Sequence, residues 1–167
     1  MDGTDWAAIR RAAGVVLLSE AAAFHAGRLA TNPELFGADV RRRLQTGAEL
    51  GAPDISAARA ELARWRADSG TLFKDVDFLV TPTTRRTAIS IALAEGVSAA
   101  ADYTRFTAPF NLLGLPALSV PAGVGDDGLP IGVQLVAPPL RDEFLLAVGA
   151  AFELCRTELP GGGPHLC

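Results

Sequence analysis

FTAPFNLLGLPALSVPAGVGDDGLPIGVQLVAPPL, residues 106–140, carries its only charges side by side at Asp126 and Asp127. An almost uncharged run of this length is either a membrane segment or a deeply buried core. Its punctuation decides between them. Pro109, Pro116, Pro121 and Pro130, with Gly114, Gly123, Gly125, Gly128 and Gly132, break any helix long enough to cross a bilayer. What remains is a set of short buried strands joined by tight turns. Ala117 to Val124 and Ile131 to Ala137 read as a hairpin, with left-handed turn positions supplied by Gly-Asp-Asp-Gly. In the first strand Leu118, Val120, Ala122 and Val124 share one face, and Ser119, Pro121 and Gly123 the other. Pro121 has no amide to give to a ladder, so the strand is irregular or at an edge there. Asp126 and Asp127 sit at the hairpin tip, where Asp is good turn chemistry; general acid/base work needs a more sheltered place.

Working upstream, Val76 to Thr81 reads as a buried strand halted by Pro82, and residues 83–103 as a loop followed by a short helix. Downstream, Arg141 to Cys155 is an amphipathic helix with Phe144, Val148, Phe152 and Cys155 on one face, followed by a flexible tail over 159–167. The first half is helical. Residues 5–31 are Ala-rich and form one long helix or two short ones, with Gly14 the weak point. Asn32-Pro33 interrupts the pattern, and a second helix is expected from Pro33 to Leu50, with Arg41-Arg42-Arg43 as a solvated face. Asp54 then caps a third helix over 54–74, whose stripe is Ile55, Ala58, Leu62, Trp65, Ser69 and Leu72. Trp65 reads as a core anchor. The fold class is α/β: one unit over 1–158, helical over 5–74, strand- and hairpin-rich over 76–138, and closed by the last helix.

A net charge of −4 leaves no basic footprint, which argues against nucleic acid as a partner. No signal-peptide pattern opens the chain, and Cys155 and Cys167 make neither a disulfide framework nor a metal spacing, so a cytoplasmic setting is expected. His25 and His165 stand 140 positions apart and read as solvent or cap histidines, so no metal is expected. Gly161-Gly162-Gly163 precedes no helix and is not a phosphate loop, and no cofactor fingerprint is present. Ser119 lies in Leu-Ser-Val-Pro, with no nucleophile elbow around it. Lys74, the only lysine, reads as a cation at a helix C-terminus. From the residues alone, no catalytic set is assembled.

The run Phe106, Thr107, Pro109, Asn111, Gly114, Pro116, Ala117, Ser119, Pro121, Gly123, then Gly128, Pro130, Gly132 and Gln134, resembles the C-terminal region of amidase signature hydrolases. Val76-Asp-Phe-Leu-Val-Thr-Pro-Thr is similar to that family's strand before its substrate-side loop. Glu20-Ala-Ala-Ala-Phe-His and Phe36-Gly-Ala-Asp-Val-Arg are similar to its preceding helices, so the resemblance covers about residues 15–155. It implies helices packed on a mixed sheet. It also implies hydrolysis of carboxylic amides by a Ser–cis-Ser–Lys triad carried in the N-terminal half of such enzymes, ahead of anything in these residues. No Gly-Gly-Ser-Ser-Gly-Gly-like stretch is present, and Lys74 is on the wrong element, so no catalytic residue is expected here. Without a base to activate serine and donors for the developing oxyanion, little acceleration remains.

By the same resemblance this region supplies sheet, core and one wall of the acyl pocket. Thr83, after Pro82, and the turn holding Thr107, Phe110 and Asn111 are then the substrate-side residues. Asn111 either contacts substrate or ties the turn to neighbouring backbone, and Thr107 has the same two roles open to it. Gln134, mid-strand, braces a loop. Family members acting on glutamine carry an acidic side chain seven residues before the matching Asn; here that position is Thr104, which favours a general amidase. The expected partners are a small amide substrate once the N-terminal half is supplied, and self-association or an N-terminal partner; neither a membrane nor nucleic acid is expected. A non-catalytic remnant acting as an interaction domain is the alternative.

Overall fold

The computed structural model describes residues 5–93 and 101–157. They divide into two compact units, Met1–Ala67 and Asp68–Cys167. The expected tail 159–167, with His165 and Cys167, lies outside the described residues, as does 94–100.

The first unit is helical. Helix α1, Trp6–Thr31, starts where the Asp5 carboxylate accepts the Ala8 amide at 2.9 Å. It runs unbroken through Gly14, because a mid-helix glycine costs only about 1 kcal/mol and the surrounding alanines carry it. It ends at Asn32, directly before Pro33. The expected second helix is divided: a 3-10 turn at Pro33–Leu35, an extended Gly37, then α2 at Ala38–Ala48. Gly47 packs on the backbone of α1, where a side chain would run into the Leu18 carbonyl. The arginine run is not a fully solvated face, since Arg41 and Arg43 are half-buried and Arg41 Nη1 reaches the Pro33 carbonyl at 3.4 Å. His25 is likewise no plain solvent residue; it is half-buried, edge-on to Phe24 and Phe36 at 4.8 and 5.5 Å. Helix α3, Ala52–Asp68, begins two residues earlier than expected, placing Asp54 inside its first turn while the Gly51 carbonyl accepts the Ile55 amide. Its stripe stands as far as the helix runs: Ala58 and Leu62 are buried, and Ile55 and Trp65 half-buried, while Ser69 and Leu72 fall beyond its end.

The second unit opens with a 3-10 turn at Ser69–Phe73, so the third helix ends at Asp68 rather than at Lys74. Three strands follow: β1 Leu79–Pro82, β2 Ala117–Val124 and β3 Pro130–Val136, in the order β1-β3-β2. Both pairings are antiparallel, where a mixed sheet was expected. Strand β1 starts three residues late, leaving Val76 exposed, and includes Pro82, which sits opposite Val133. An edge strand tolerates that proline, because the ladder does not need an amide on its open side. Strand β2 is the other edge and has a register shift between Pro121 and Gly123, the irregularity Pro121 predicts. The shift takes Val124 off the buried face, and it is 59% exposed. The hairpin turns through Gly128 at φ 78°, a left-handed position that glycine holds without strain.

Residues 107–111 are not an open turn. Thr107 stands at the N-terminus of a short helix α4, Ala108–Leu113, with Pro109 in its first turn, where proline is pre-set for helix. Helix α5, Asp142–Thr157, lays Phe144, Val148 and Phe152 against a buried cluster of Val120, Leu135, Ala137 and Leu145, joined by Phe78, Leu118 and Val133. Cys155, expected on that face, is exposed. A side chain as enclosed as Leu135, at 1% exposure, contributes roughly 1.5–3 kcal/mol. Among the described residues no helix is long and apolar enough to cross a membrane.

Candidate functional site

Strand β1 does not stop at Pro82 in its pairing. The Thr83 amide donates to the Gly132 carbonyl at 3.1 Å, carrying the ladder one residue further. This aims the Thr83 hydroxyl across β3 toward β2, where it meets the Ser119 hydroxyl at 2.7 Å. Gly132 leaves room for the meeting. A Cβ there would lie 3.0 Å from Thr83 Oγ1, 3.1 Å from Ser119 Oγ and 3.3 Å from Thr83 Cβ, so the two side chains would have to give way by a few tenths of an ångström.

One step along β3, Gln134 is 3% exposed and donates twice from Nε2, to Thr81 Oγ1 at 2.8 Å and to the Phe106 carbonyl at 3.0 Å. A buried amide must be satisfied, and here satisfying it ties the segment entering α4 to the edge strand β1. That is the bracing role expected for Gln134. Thr107, next in the chain, is half-buried and donates to the Thr104 carbonyl at 3.4 Å. Phe110 is buried and belongs to the core around α4. Asn111 is exposed; its backbone is bonded to Thr107 and Gly114, and among the described residues its side chain does not tie the turn down. Of the four expected substrate-side residues, Thr83 is on the sheet with Ser119, and the other three are on α4 or at its start.

Ser119 has a neutral hydroxyl as its partner, which cannot take its proton at neutral pH. Lys74 is exposed beside Asp75 at 3.8 Å and serves no serine among the described residues.

A second group of residues was not foreseen. The loop 83–87, at the C-terminal end of β1, is gripped from two distant parts of the chain. Asp102 takes Arg85 Nη1 on one oxygen at 2.9 Å and Arg86 Nη2 on the other at 3.0 Å. The Tyr103 hydroxyl donates to the Thr87 carbonyl at 3.1 Å. From the hairpin tip, Asp127 Oδ2 accepts the Thr87 hydroxyl, while Oδ1 accepts the Leu129 amide at 3.0 Å. The Thr87 hydroxyl first, then the Leu129 amide, hold the Asp127 carboxyl below the usual carboxylate range, because both bonds favour the charged form. The turn reading of Asp127 accounts for the Leu129 bond alone. The only sequence signal for this loop is the polar run Thr-Thr-Arg-Arg-Thr, which names no partners.

Known proteins share sequence and fold with this chain. The family model described as Amidase matches residues 6–146. The A subunit of a glutamyl-tRNA(Gln) amidotransferase from Mycobacteroides abscessus is 39% identical over 132 residues, 75% of this chain and 27% of that protein. A crystal structure of an amidase superposes with a TM-score of 0.81 at 28% identity, over 88% of this chain and 35% of its own. A chain from a vestigial protein complex, tied to the origins of an s-triazine catabolic enzyme, gives 0.83 at 27% identity, over 96% and 36%. The chain thus spans about a quarter of the length of the curated relatives it matches.

Proposed function

We propose, because this chain belongs to the amidase signature family, that residues 1–158 are the C-terminal portion of an amidase domain acting on carboxylic amides, with the catalytic triad carried by sequence outside these 167 residues. The two hydrogen bonds that Gln134 Nε2 donates, to Thr81 Oγ1 and to the Phe106 carbonyl, carry this reading, since they join the strand leading to Thr83 with the segment leading to Thr107 and Asn111. Those two segments form one wall for the amide. Thr83, Thr107 and the exposed Asn111 amide offer it polar atoms, and Phe110 backs them from the core. A general amide fits better than glutamine, because Thr104 offers no negative charge to an α-ammonium group. In this reading the chain works in the cytoplasm with an N-terminal partner segment, which supplies the serine, its base and the oxyanion donors.

The test is ammonia release from acetamide, propionamide and benzamide. The 167-residue chain alone gives none above buffer. Co-expression with the N-terminal part of an amidase relative gives a complex on size exclusion with light scattering, together with turnover. Hydrolysis by the chain alone that Ser119→Ala abolishes sinks the proposal. A second reading, an interaction domain without catalysis, rests on the exposed apolar side chains Val80, Val124 and Ile131 on the three strands of the sheet. It predicts the same complex with no turnover.

A further inference from the structure

We infer that Asp102 and Asp127 are positioning residues for the loop 83–87, so that the hairpin tip sets the placement of Thr83 on the substrate side. This rests on the reading that Thr83 faces the amide.

The loop has little of its own to hold it. After the Thr83 amide no ladder bond continues, and its internal side-chain bond is Thr84 Oγ1 to the Arg86 carbonyl at 2.7 Å. Ordering such residues costs on the order of 1 kcal/mol each in backbone freedom, which one internal bond does not offset. The restraint comes from outside. Asp102 holds Arg85 and Arg86 with separate oxygens, Tyr103 holds the Thr87 carbonyl, and Asp127 holds the Thr87 hydroxyl. Asp102 is the more enclosed partner, its side chain 22% exposed against 48% and 56% for the two arginines, so it is the fixed point to which both are drawn. Each contact is weak in isolation, but they converge on three successive residues, and Thr83 is pinned at the other end through Gly132 and Ser119. Chain geometry then leaves Thr83 little room to turn.

The experiment uses the full chain. Hydrogen exchange at the Thr83 amide, the loop amide held in the ladder, is compared for Thr87→Val, Asp127→Ala and Asp102→Ala. Two controls accompany them: Thr87→Ser, which keeps the hydroxyl, and Asp126→Ala, which removes a neighbouring charge that makes no bond to the loop. Exchange is expected to rise about threefold in the first three and to match the parent in both controls. Exchange across 131–136 stays at the parent level in all five. Equal exchange in Thr87→Val and the parent, or equal acceleration in Asp126→Ala, overturns the clamp. Titration with benzamide, followed at the Thr83 and Asn111 amides by NMR, is the second readout. Induced shifts that shrink in Thr87→Val and return in Thr87→Ser support the positioning role. Absence of any shift in the parent overturns the substrate-side role of Thr83, while the exchange result on the clamp stands on its own.

Discussion

Replacing Gln134 tests how strongly one buried amide organises the site. In Gln134→Leu the side-chain volume is nearly kept, but two bonds from Nε2, at 2.8 and 3.0 Å, are lost. At about 1 kcal/mol net for each bond, a stranded Phe106 carbonyl added and apolar burial by leucine subtracted, the cost is about 1–3 kcal/mol. Gln134→Glu is harsher. It sets an acceptor against the Phe106 carbonyl at a position that is 3% exposed, so the carboxyl must stay charged without water or take up a proton. Its cost is about 3 kcal/mol or more. For a chain of this size each kcal/mol lowers the melting temperature by roughly 2–4 °C, which circular dichroism resolves easily. Hydrogen exchange over 104–111 supplies the local readout, because loss of the Phe106 tether frees the entry to α4 before the sheet opens. The reasoning is refuted if Gln134→Glu melts with the parent. It is refuted as well if Gln134→Leu leaves exchange over 104–111 unchanged.

Further outcomes are expected. Leu135→Ala removes a side chain that is 1% exposed at the centre of the α5–sheet cluster and costs about 2–5 kcal/mol by urea melt, the spread depending on how far Phe144 and Val148 close the gap. Gly132→Val separates the Thr83 and Ser119 hydroxyls, and loss of protection at the Thr83 amide is its signature; retained protection would show that the close approach is unimportant. Gly47→Ala drives a methyl into the Leu18 carbonyl and destabilises the α1–α2 pair by about 1–3 kcal/mol, read from the thermal melt. Asp127, whose folded pKa lies below its unfolded value of 3.8, gives stabilisation that is fully present above that value. It is lost as pH falls through the lower folded value, so the Leu129 and Thr87 amide resonances should move together in that acid range and stay still in Asp127→Asn.

Periodicity and punctuation disclosed much of this. Ala117–Val124 is a strand with the bounds its alternation predicts, because a glycine-rich turn with adjacent acids leaves few registers open. The α3 stripe of Ile55, Ala58, Leu62 and Trp65 is legible because burial on a helix follows a 3.6-residue period. Helix ends were less legible. Asp54 looked like a cap, yet α3 starts at Ala52 and Asp54 lies in its first turn, where a negative charge also suits the helix N-terminus. Thr107 to Asn111 was expected as a turn from the resemblance, and it opens a helix instead, since Pro109 in a first helical turn is no obstacle.

By itself the sequence determined the α/β class, the hairpin and the family, because each depends on residue type at short spacing. Tertiary structure alone decided which polar side chains meet. Gln134 and Phe106 are 28 positions apart, Thr83 and Ser119 are 36, and Thr87 and Asp127 are 40. No local pattern selects such partners. They are set by the order β1-β3-β2, which lays β3 between two edges and brings together chain segments that the sequence keeps far apart. The charge-poor run of 106–140 thus announced a core, and only its folding turned an aspartate at its tip, Asp127, into part of a clamp on the loop beside the sheet.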